Sequence, residues 1–174
     1  MRSVSAGLMR TQVGPRERMS VFLVLLLGMA TLCASADDGW IADKNGCKLA
    51  NPSPKPSETV TWSGTCTDGF AQGNGVVQWY EDGKPGVTYE GALVRGAASG
   101  QGKLTMPDGA TYEGGWREGK QEGSGKYSAP SGVRYEGEWK DGVPNGPGIM
   151  HDPSGAVLDG IWKSGTYLGP APAQ

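Results

Sequence analysis

The stretch "RYEGEWKDGVPNG", residues 134–146, places a Tyr-Glu-Gly triplet just before a tryptophan and a glycine-marked turn. Related stretches, TYEGALVRG and TYEGGWREG, precede it at intervals of 23 residues, and the three tyrosines are Tyr89, Tyr112 and Tyr135. Degenerate copies open at Trp62 (WSGTCTDG) and at Leu158 (LDGIWKSG), which brings the number of copies to five. A fixed period of this length is the signature of a repeat architecture, whose terminal copies usually deviate.

The glycines confirm this register independently of the aromatic residues. Counting the opening residue of each copy as zero, glycine recurs at +2, +7 and +11 in all five copies. It recurs at +13 in the first four copies, as Gly75, Gly102, Gly125 and Gly148. Without this periodicity, the high glycine and proline content would indicate a disordered chain. With it, the content indicates regular structure.

Each copy is predicted to form a β-hairpin. Residues zero to +5 alternate, so that Tyr, Gly and Trp point to one face and the charged side chains to the other. We expect a turn over +6 to +11, followed by a short returning strand. Four extra residues in the first copy, within EDGKPG (81–86), are expected to lengthen a turn. The predicted fold is all-β, a single-layer curved antiparallel meander of about five 23-residue hairpins.

We call the face that carries the recurring tyrosine and tryptophan side chains the aromatic face. Rings on one strand can cover neighbouring glycines, so a structural role is expected first for Tyr89, Tyr112, Trp116, Tyr135, Trp139 and Trp162. Some of these rings can also form a ligand surface, because tyrosine and tryptophan are rigid, amphipathic contact residues. The candidate binding face lies in the regular central copies, with anchors Tyr112, Trp116, Tyr135 and Trp139.

The opposite face, the charged face, carries an acidic residue at +1 of successive copies. These residues are Glu90, Glu113, Glu136 and Asp159. Strands that are two apart in a meander lie about 10 Å from each other, which is too far for the carboxylates to share a metal or a proton. We therefore expect a solvated face, partly paired with Lys103, Lys126, Lys140 and Lys163.

Residues 1–36 are predicted to be a signal peptide. Arg2, Arg10, Arg16 and Arg18 precede an apolar run at 21–32, and Ala34-Ser35-Ala36 forms a small-residue cleavage site. A membrane anchor is the alternative, but twelve apolar residues fall short of the roughly twenty that a spanning helix needs. The mature protein is therefore expected in the periplasm or secreted.

The mature chain is expected to be acidic. Without the four arginines and one glutamate of residues 1–36, the 16 basic and 18 acidic side chains become 12 and 17, a net charge of −5. This charge opposes binding to nucleic acid or to an anionic lipid surface.

Two cysteines, Cys47 and Cys66, remain after removal of the signal peptide. In an exported protein a pair of this kind favours a disulfide; two free thiols or half of a zinc site are the alternatives. His151 is the single histidine and there is no Cys-x-x-Cys, so zinc is disfavoured.

Four segments follow from these patterns: the signal peptide, an N-terminal segment (37–60), the repeat domain (61–169) and a tail (170–174). The N-terminal segment contains NPSPKPSET (51–59), which we expect to form an extended strap. A ligand for a proline-recognising domain is the alternative for this strap.

The pattern Tyr-Glu-Gly-x-Trp-x-x-Gly-x-x-x-Gly-x-Gly over residues 62–169 resembles the MORN (membrane occupation and recognition nexus) repeat. Two departures are the Ala92-Leu93 pair, in place of x-Trp in the second copy, and Cys66, in the tryptophan place of the first. The resemblance implies a curved meander that binds protein or lipid and has no catalytic residues. GSGKYS (123–128) fails the phosphate-loop pattern at two positions, and no nucleophile accompanies His151.

The chain is therefore interpreted as an exported bacterial MORN protein without enzymatic activity or cofactor. Protein-protein interaction or scaffolding in the cell envelope is the leading hypothesis. Peripheral binding to a lipid or glycan surface is the alternative.

Overall fold

A computed structural model describes residues 39–52 and 55–172, and the predicted signal peptide lies outside this part of the chain. Within it the regular elements are all β-strands. They are β1 (Trp40–Ala42), β2 (Lys48–Ala50), β3 (Glu58–Trp62), β4 (Thr65–Thr67), β5 (Phe70–Glu81), β6 (Lys84–Val94), β7 (Ala97–Thr105), β8 (Thr111–Arg117), β9 (Lys120–Ser128), β10 (Arg134–Lys140), β11 (Val143–His151), β12 (Val157–Lys163) and β13 (Thr166–Gly169).

The strands form a single open curved sheet. From β5 to β13 each strand pairs antiparallel with the next one in the chain, which confirms the predicted all-β meander. On the other edge of β5, β4 pairs with its first residues and β3 with its last five. Strand β2 joins β5 in parallel at Lys48 and Phe70, and β1 pairs with β2. Strands β1 and β2 and the first three residues of β3 belong to the predicted N-terminal segment, so this segment contributes to the sheet.

The turn within each hairpin is shorter than predicted. In the third copy only Glu118 and Gly119 form it, with φ of 50° and 80°, and β9 already begins at Lys120. Positive φ at both central residues is the mark of a type I′ turn, whose twist matches that of the flanking strands. The predicted turn over +6 to +11 with a short return strand was therefore wrong.

The glycine at +11 explains this error, because it lies inside the returning strand. Gly123 has a φ of 71°, and the pairing of β8 with β9 shifts register opposite it, between Gly114 and Trp116. A glycine at this place supports a bulge that bends the strand. Sequence reasoning took a bulge glycine for the end of a turn.

The extra residues of the first copy lengthen the strands and not the turn, contrary to the prediction. Asp82 and Gly83 alone form the turn between β5 and β6, with φ of 51° and 73°. An Asp-Gly pair is a strong type I′ signal, so the flanking residues pair instead of looping out. Glu81 pairs with Lys84 in this extension, and β3 covers its other edge.

Candidate functional site

Each central tyrosine lies across a pair of glycines in its own hairpin. Gly114 and Gly125 are direct partners on β8 and β9. A Cβ built on Gly114 would come 2.8 Å from the hydroxyl of Tyr112, and one on Gly125 would come 2.6 Å from its Cε2. The hydroxyl donates a hydrogen bond to the carbonyl of Gly115, at 3.0 Å. Tyr89 and Tyr135 repeat this geometry. At +13 the ring occupies the space of a side chain, and at +2 the ring and the backbone of the partner strand do so together.

Each tryptophan joins its copy to the preceding one. The indole N–H at +4 donates to the carbonyl of the +13 glycine in the copy before it. These bonds are Trp116 to Gly102 (3.1 Å), Trp139 to Gly125 (3.2 Å) and Trp162 to Gly148 (3.0 Å). Tyrosine bonds within a copy and tryptophan bonds between copies therefore alternate along the sheet.

The rings also contact one another in an unbroken order, the aromatic ladder. It runs through Tyr89, Trp116, Tyr112, Trp139, Tyr135, Trp162 and Tyr167. Neighbouring centroids are 4.9 to 5.3 Å apart, and all contacts but the last are edge-to-face. Such pairs contribute about 0.5–1.5 kcal/mol each beyond their burial. The ladder thus forms the core of the regular copies, and the core continues at the N-terminal end in residues such as Val60, Trp62 and Val77.

The two terminal copies use substitutes for this geometry. Trp62 stands in the tyrosine place: its indole donates to the carbonyl of Thr65 at 2.8 Å, and its ring blocks a Cβ on Gly75 at 2.6 Å. In the last copy Leu158 stands there and is 38% exposed, and Tyr167 supplies the final ring beside Trp162. These contacts agree with the register assigned to the outer copies.

The two departures at the tryptophan place have different outcomes. Leu93 is buried, but its side chain has no N–H that could donate a hydrogen bond to the preceding copy, as an indole does. Cys66 lies at disulfide distance from Cys47, with Cα atoms 5.6 Å apart. Strand β2 is held nearby by two backbone bonds, from Lys48 to Gly69 and from Ala50 to Gly96, both at 2.9 Å. Where later copies have a tryptophan, the first copy therefore has a cysteine within disulfide distance of the N-terminal segment.

The structure brings the four candidate anchors together on one face, where they are nearly covered. Tyr112, Trp116, Tyr135 and Trp139 are only 0%, 8%, 2% and 9% exposed. The accessible surface above them comes from half-buried residues at +15, which sequence reasoning missed: Leu104, Tyr127 and Met150. The alternation of side chains along the strands could have identified them, because each is the direct cross-strand partner of the tyrosine in its own copy.

Burial also changes the chemistry of the tyrosines. Loss of solvent raises the pKa of Tyr89 and of Tyr112 to about 12. Loss of solvent, with a smaller contribution from Glu138, also raises the pKa of Tyr135. The hydroxyls are therefore fixed hydrogen-bond donors at neutral pH, and they are unsuited to act as bases or nucleophiles.

The charged face is a row of alternating signs instead of an acidic ladder alone. Lys103 is the direct partner of both Glu90 and Glu113 on the flanking strands. Lys126 lies between Glu113 and Glu136 in the same way, and its ammonium is 2.9 Å from the carboxylate of Glu136. Both side chains of that pair are about two-thirds exposed, so the pair contributes little to stability.

A pocket lies on the aromatic face where the N-terminal segment meets the second copy. We call it the junction pocket. Its volume is about 440 Å³. Tyr89, Leu104 and Trp116 line its floor, while Leu49 of β2 and Trp79 of the long hairpin line its walls. Sequence reasoning missed it, because it depends on how the extended hairpin and β2 are placed.

In residues 39–52 and 55–172 no group of three or more His, Cys, Asp or Glu side chains could hold a metal ion, and no helix is long and apolar enough to cross a membrane. GSGKYS lies within strand β9 and forms no loop. His151 is exposed at the end of β11.

Comparison with known families identifies the class of repeat. Residues 89–111, 112–134 and 135–157 each match the MORN repeat. The chain therefore contains three consecutive MORN repeats, in the register derived from the tyrosines. The MORN repeat is a binding module and not an enzyme family. A comparison with curated proteins finds no significant match.

Proposed function

We propose that this protein is an exported, non-enzymatic bacterial MORN protein that binds a protein partner in the cell envelope through its aromatic face. The array would act as a scaffold, with contacts distributed over several copies. Export is supported by the signal-like residues 1–36 and by two cysteines at disulfide distance, which suits an oxidising compartment.

The aromatic ladder carries this proposal. It fixes a rigid, largely apolar face across three copies, and rigid surfaces lose little conformational entropy when they bind. Leu104, Tyr127 and Met150 project from this face at equal intervals and remain partly accessible. Binding would therefore use this row of +15 side chains above the candidate anchors, which include Tyr112 and Trp139. Repeat proteins commonly bind through an extended surface of this kind.

The charged face is a weaker candidate for specific binding. Its side chains are exposed and its charges alternate, so a large field of one sign does not arise along the row. Exposed ion pairs typically contribute less than about 1 kcal/mol.

The test is a pull-down of the mature protein from envelope extract, followed by affinity measurement with the partner so identified. Tyr127→Ser and Met150→Ser remove surface side chains but leave the ladder intact, and each should weaken binding at least tenfold. Glu113→Lys and Glu136→Lys, on the charged face, are the controls. If the charge reversals abolish binding and the serine variants do not, the proposed face is wrong.

A membrane or glycan surface is the second candidate, since MORN repeats are associated with lipid as well as protein interactions. Exposed aliphatic side chains near the last copy favour it: Val157 is 52% and Leu168 is 62% exposed. Sedimentation with neutral, zwitterionic and anionic vesicles at low salt tests the lipid version. Absence of the protein from all three pellets would exclude it.

A further inference from the structure

The junction pocket differs in construction from the rest of the aromatic face. Its walls are two features that the regular copies lack, the lengthened hairpin β5–β6 and the N-terminal strand β2. At +9 of the second copy stands Ala98, where later copies have Gln121, Pro144 or Tyr167. A small side chain at this place leaves space between the two walls. The resulting volume is in the range of small-ligand sites.

Apolar side chains line most of the pocket, and charged side chains line its solvent-exposed rim. Leu49, Tyr89, Leu104 and Trp116 are among the residues that enclose the interior. Lys55, Glu58 and Glu81 lie at one end. This division matches a ligand with an apolar body and a polar head.

The charge expected on the polar head of the ligand follows from how the charged residues at the rim are paired. The ammonium of Lys55 contacts both carboxylate oxygens of Glu81, at 2.8 and 3.0 Å, so these charges neutralise each other. The carboxylate of Glu58 accepts bonds from uncharged donors, the amide of Asn51 at 2.7 Å and the backbone N–H of Lys55 at 3.3 Å. In the described part of the chain no cation forms an ion pair with Glu58. The rim therefore has an excess negative charge.

We propose that the junction pocket binds a small cationic amphiphile, an alkyl or aromatic amine whose apolar part enters the pocket and whose positive head lies beside Glu58. The pocket shares Leu104 and Trp116 with the proposed protein-binding face. The variants that test the pocket, at Glu58 and Ala98, lie outside the +15 row, and those that test the scaffold hypothesis, at Tyr127 and Met150, do not line the pocket, so the failure of one proposal is distinguishable from the failure of the other.

The test uses the mature, oxidised protein and three ten-carbon probes below their micellar concentrations: decyltrimethylammonium, decyl maltoside and decanoate. Isothermal titration should show saturable binding of the cation, weaker binding of the neutral probe and the weakest binding of the anion. Glu58→Gln keeps the hydrogen-bond acceptor but removes the charge, so the affinity for the cation should fall roughly two- to fivefold. Glu113→Gln, on the charged face, is the matched control and should change nothing.

Ala98→Tyr fills the pocket with the residue that stands at the same place in the last copy, and it should abolish binding of all three probes. Gln121→Trp, which fills the pocket from the third copy, is the second variant should Ala98→Tyr unfold. Equal affinity for cation and anion, binding that survives a folded filling variant, or no saturable binding would each overturn the proposal.

Discussion

At the scale of single residues, the fold depends on the positions at which a side chain larger than that of glycine does not fit. Tyr112 lies so close to the strands below it that Gly114 and Gly125 have no room for a Cβ. The pairing of large rings with glycine is therefore steric, and the ring replaces the side chains that the glycines lack. The same rings carry hydroxyl and indole donors, so each position affects both packing and hydrogen bonding.

Gly125→Ala should be strongly destabilising, because its Cβ would overlap the ring of Tyr112. Overpacking of this kind typically costs about 1–3 kcal/mol. The free energy of unfolding, measured by urea denaturation, provides the test. Gly86→Ala is the matched control: its φ is not positive and its Cβ would approach no atom closer than 3.4 Å. Equal losses in the two variants would show that the ring is not the reason for glycine at +13.

Trp139→Phe should remove the hydrogen bond of the indole together with part of its packing. An aromatic ring stays in the ladder, but it is smaller, and the buried bond from Trp139 to the carbonyl of Gly125 is lost. A buried acceptor left without its partner costs about 1–3 kcal/mol, and we expect a loss of stability in this range. Tyr127→Phe, at a half-buried position, should change stability by less than about 0.5 kcal/mol.

Stability should fall between pH 10 and pH 12. Tyr89 and Tyr112 have a pKa of about 12 in the fold and of about 10 when unfolded. Below pH 10 both states are protonated and the full stability is present. Above pH 10 the unfolded chain loses these protons first, so the free energy of unfolding falls by at most about 1.4 kcal/mol per pH unit for each tyrosine. Thermal unfolding against pH measures the slope, and Tyr112→Phe should reduce it; an unchanged slope would refute the assignment.

At the scale of elements, hairpins and their register were predictable from sequence, but turn lengths were not. Tyrosine and glycine spacing identified the hairpin of each of the five copies, because rings and glycines occupy a strict geometric register. It did not identify the pair of β1 and β2 in the N-terminal segment. Gly123 misled the prediction, since glycine at a bulge and glycine in a turn look the same in a sequence. The extension around Glu81 was also misplaced, because strand pairing with β3 depends on a segment distant in sequence. The junction pocket was missed for the same reason.

Reduction should loosen the N-terminal segment more than the repeats. The pair Cys47 and Cys66 closes a loop of 19 residues, and a disulfide over such a loop contributes about 3 kcal/mol. Mass measurement of exported protein without reductant should show no alkylatable thiol. Hydrogen exchange after reduction should then increase in β1 and β2, while the strands from β8 to β11 keep their protection. Two free thiols in native protein would exclude the bond.

At the scale of the whole molecule, the array behaves as a one-dimensional lattice, in which each copy bonds only its neighbours. In the last three copies the indole of the tryptophan donates to a glycine carbonyl of the copy before it, as Trp116 does to Gly102 and Trp162 to Gly148. The third and fourth copies are therefore interchangeable, whereas Trp62 and Cys66 make the first copy specific to its place.

Deletion of residues 112–134, one complete period, should give a folded protein with four copies. Thr111 would then be followed by Tyr135, and Trp139 would meet the carbonyl of Gly102. Loss of one interface should lower the midpoint of denaturation without abolishing cooperative unfolding. Deletion of 115–136, one residue shorter and joined inside the strand, is the control: the slip places Tyr112 and Trp139 on opposite faces of the joined strand and should prevent folding. If both deletions fold equally well, the register does not determine the fold.

The aromatic ladder has an optical consequence. Five edge-to-face contacts hold the rings from Tyr89 to Trp162 at centroid distances near 5 Å, so their electronic transitions are coupled as in a short chromophore array. Circular dichroism of the folded protein will therefore contain exciton bands from the rings as well as the signal of the peptide groups. Their amplitude depends on the distance and the mutual orientation of rings in neighbouring copies. Circular dichroism of the rings can therefore follow the packing of neighbouring copies without an added label.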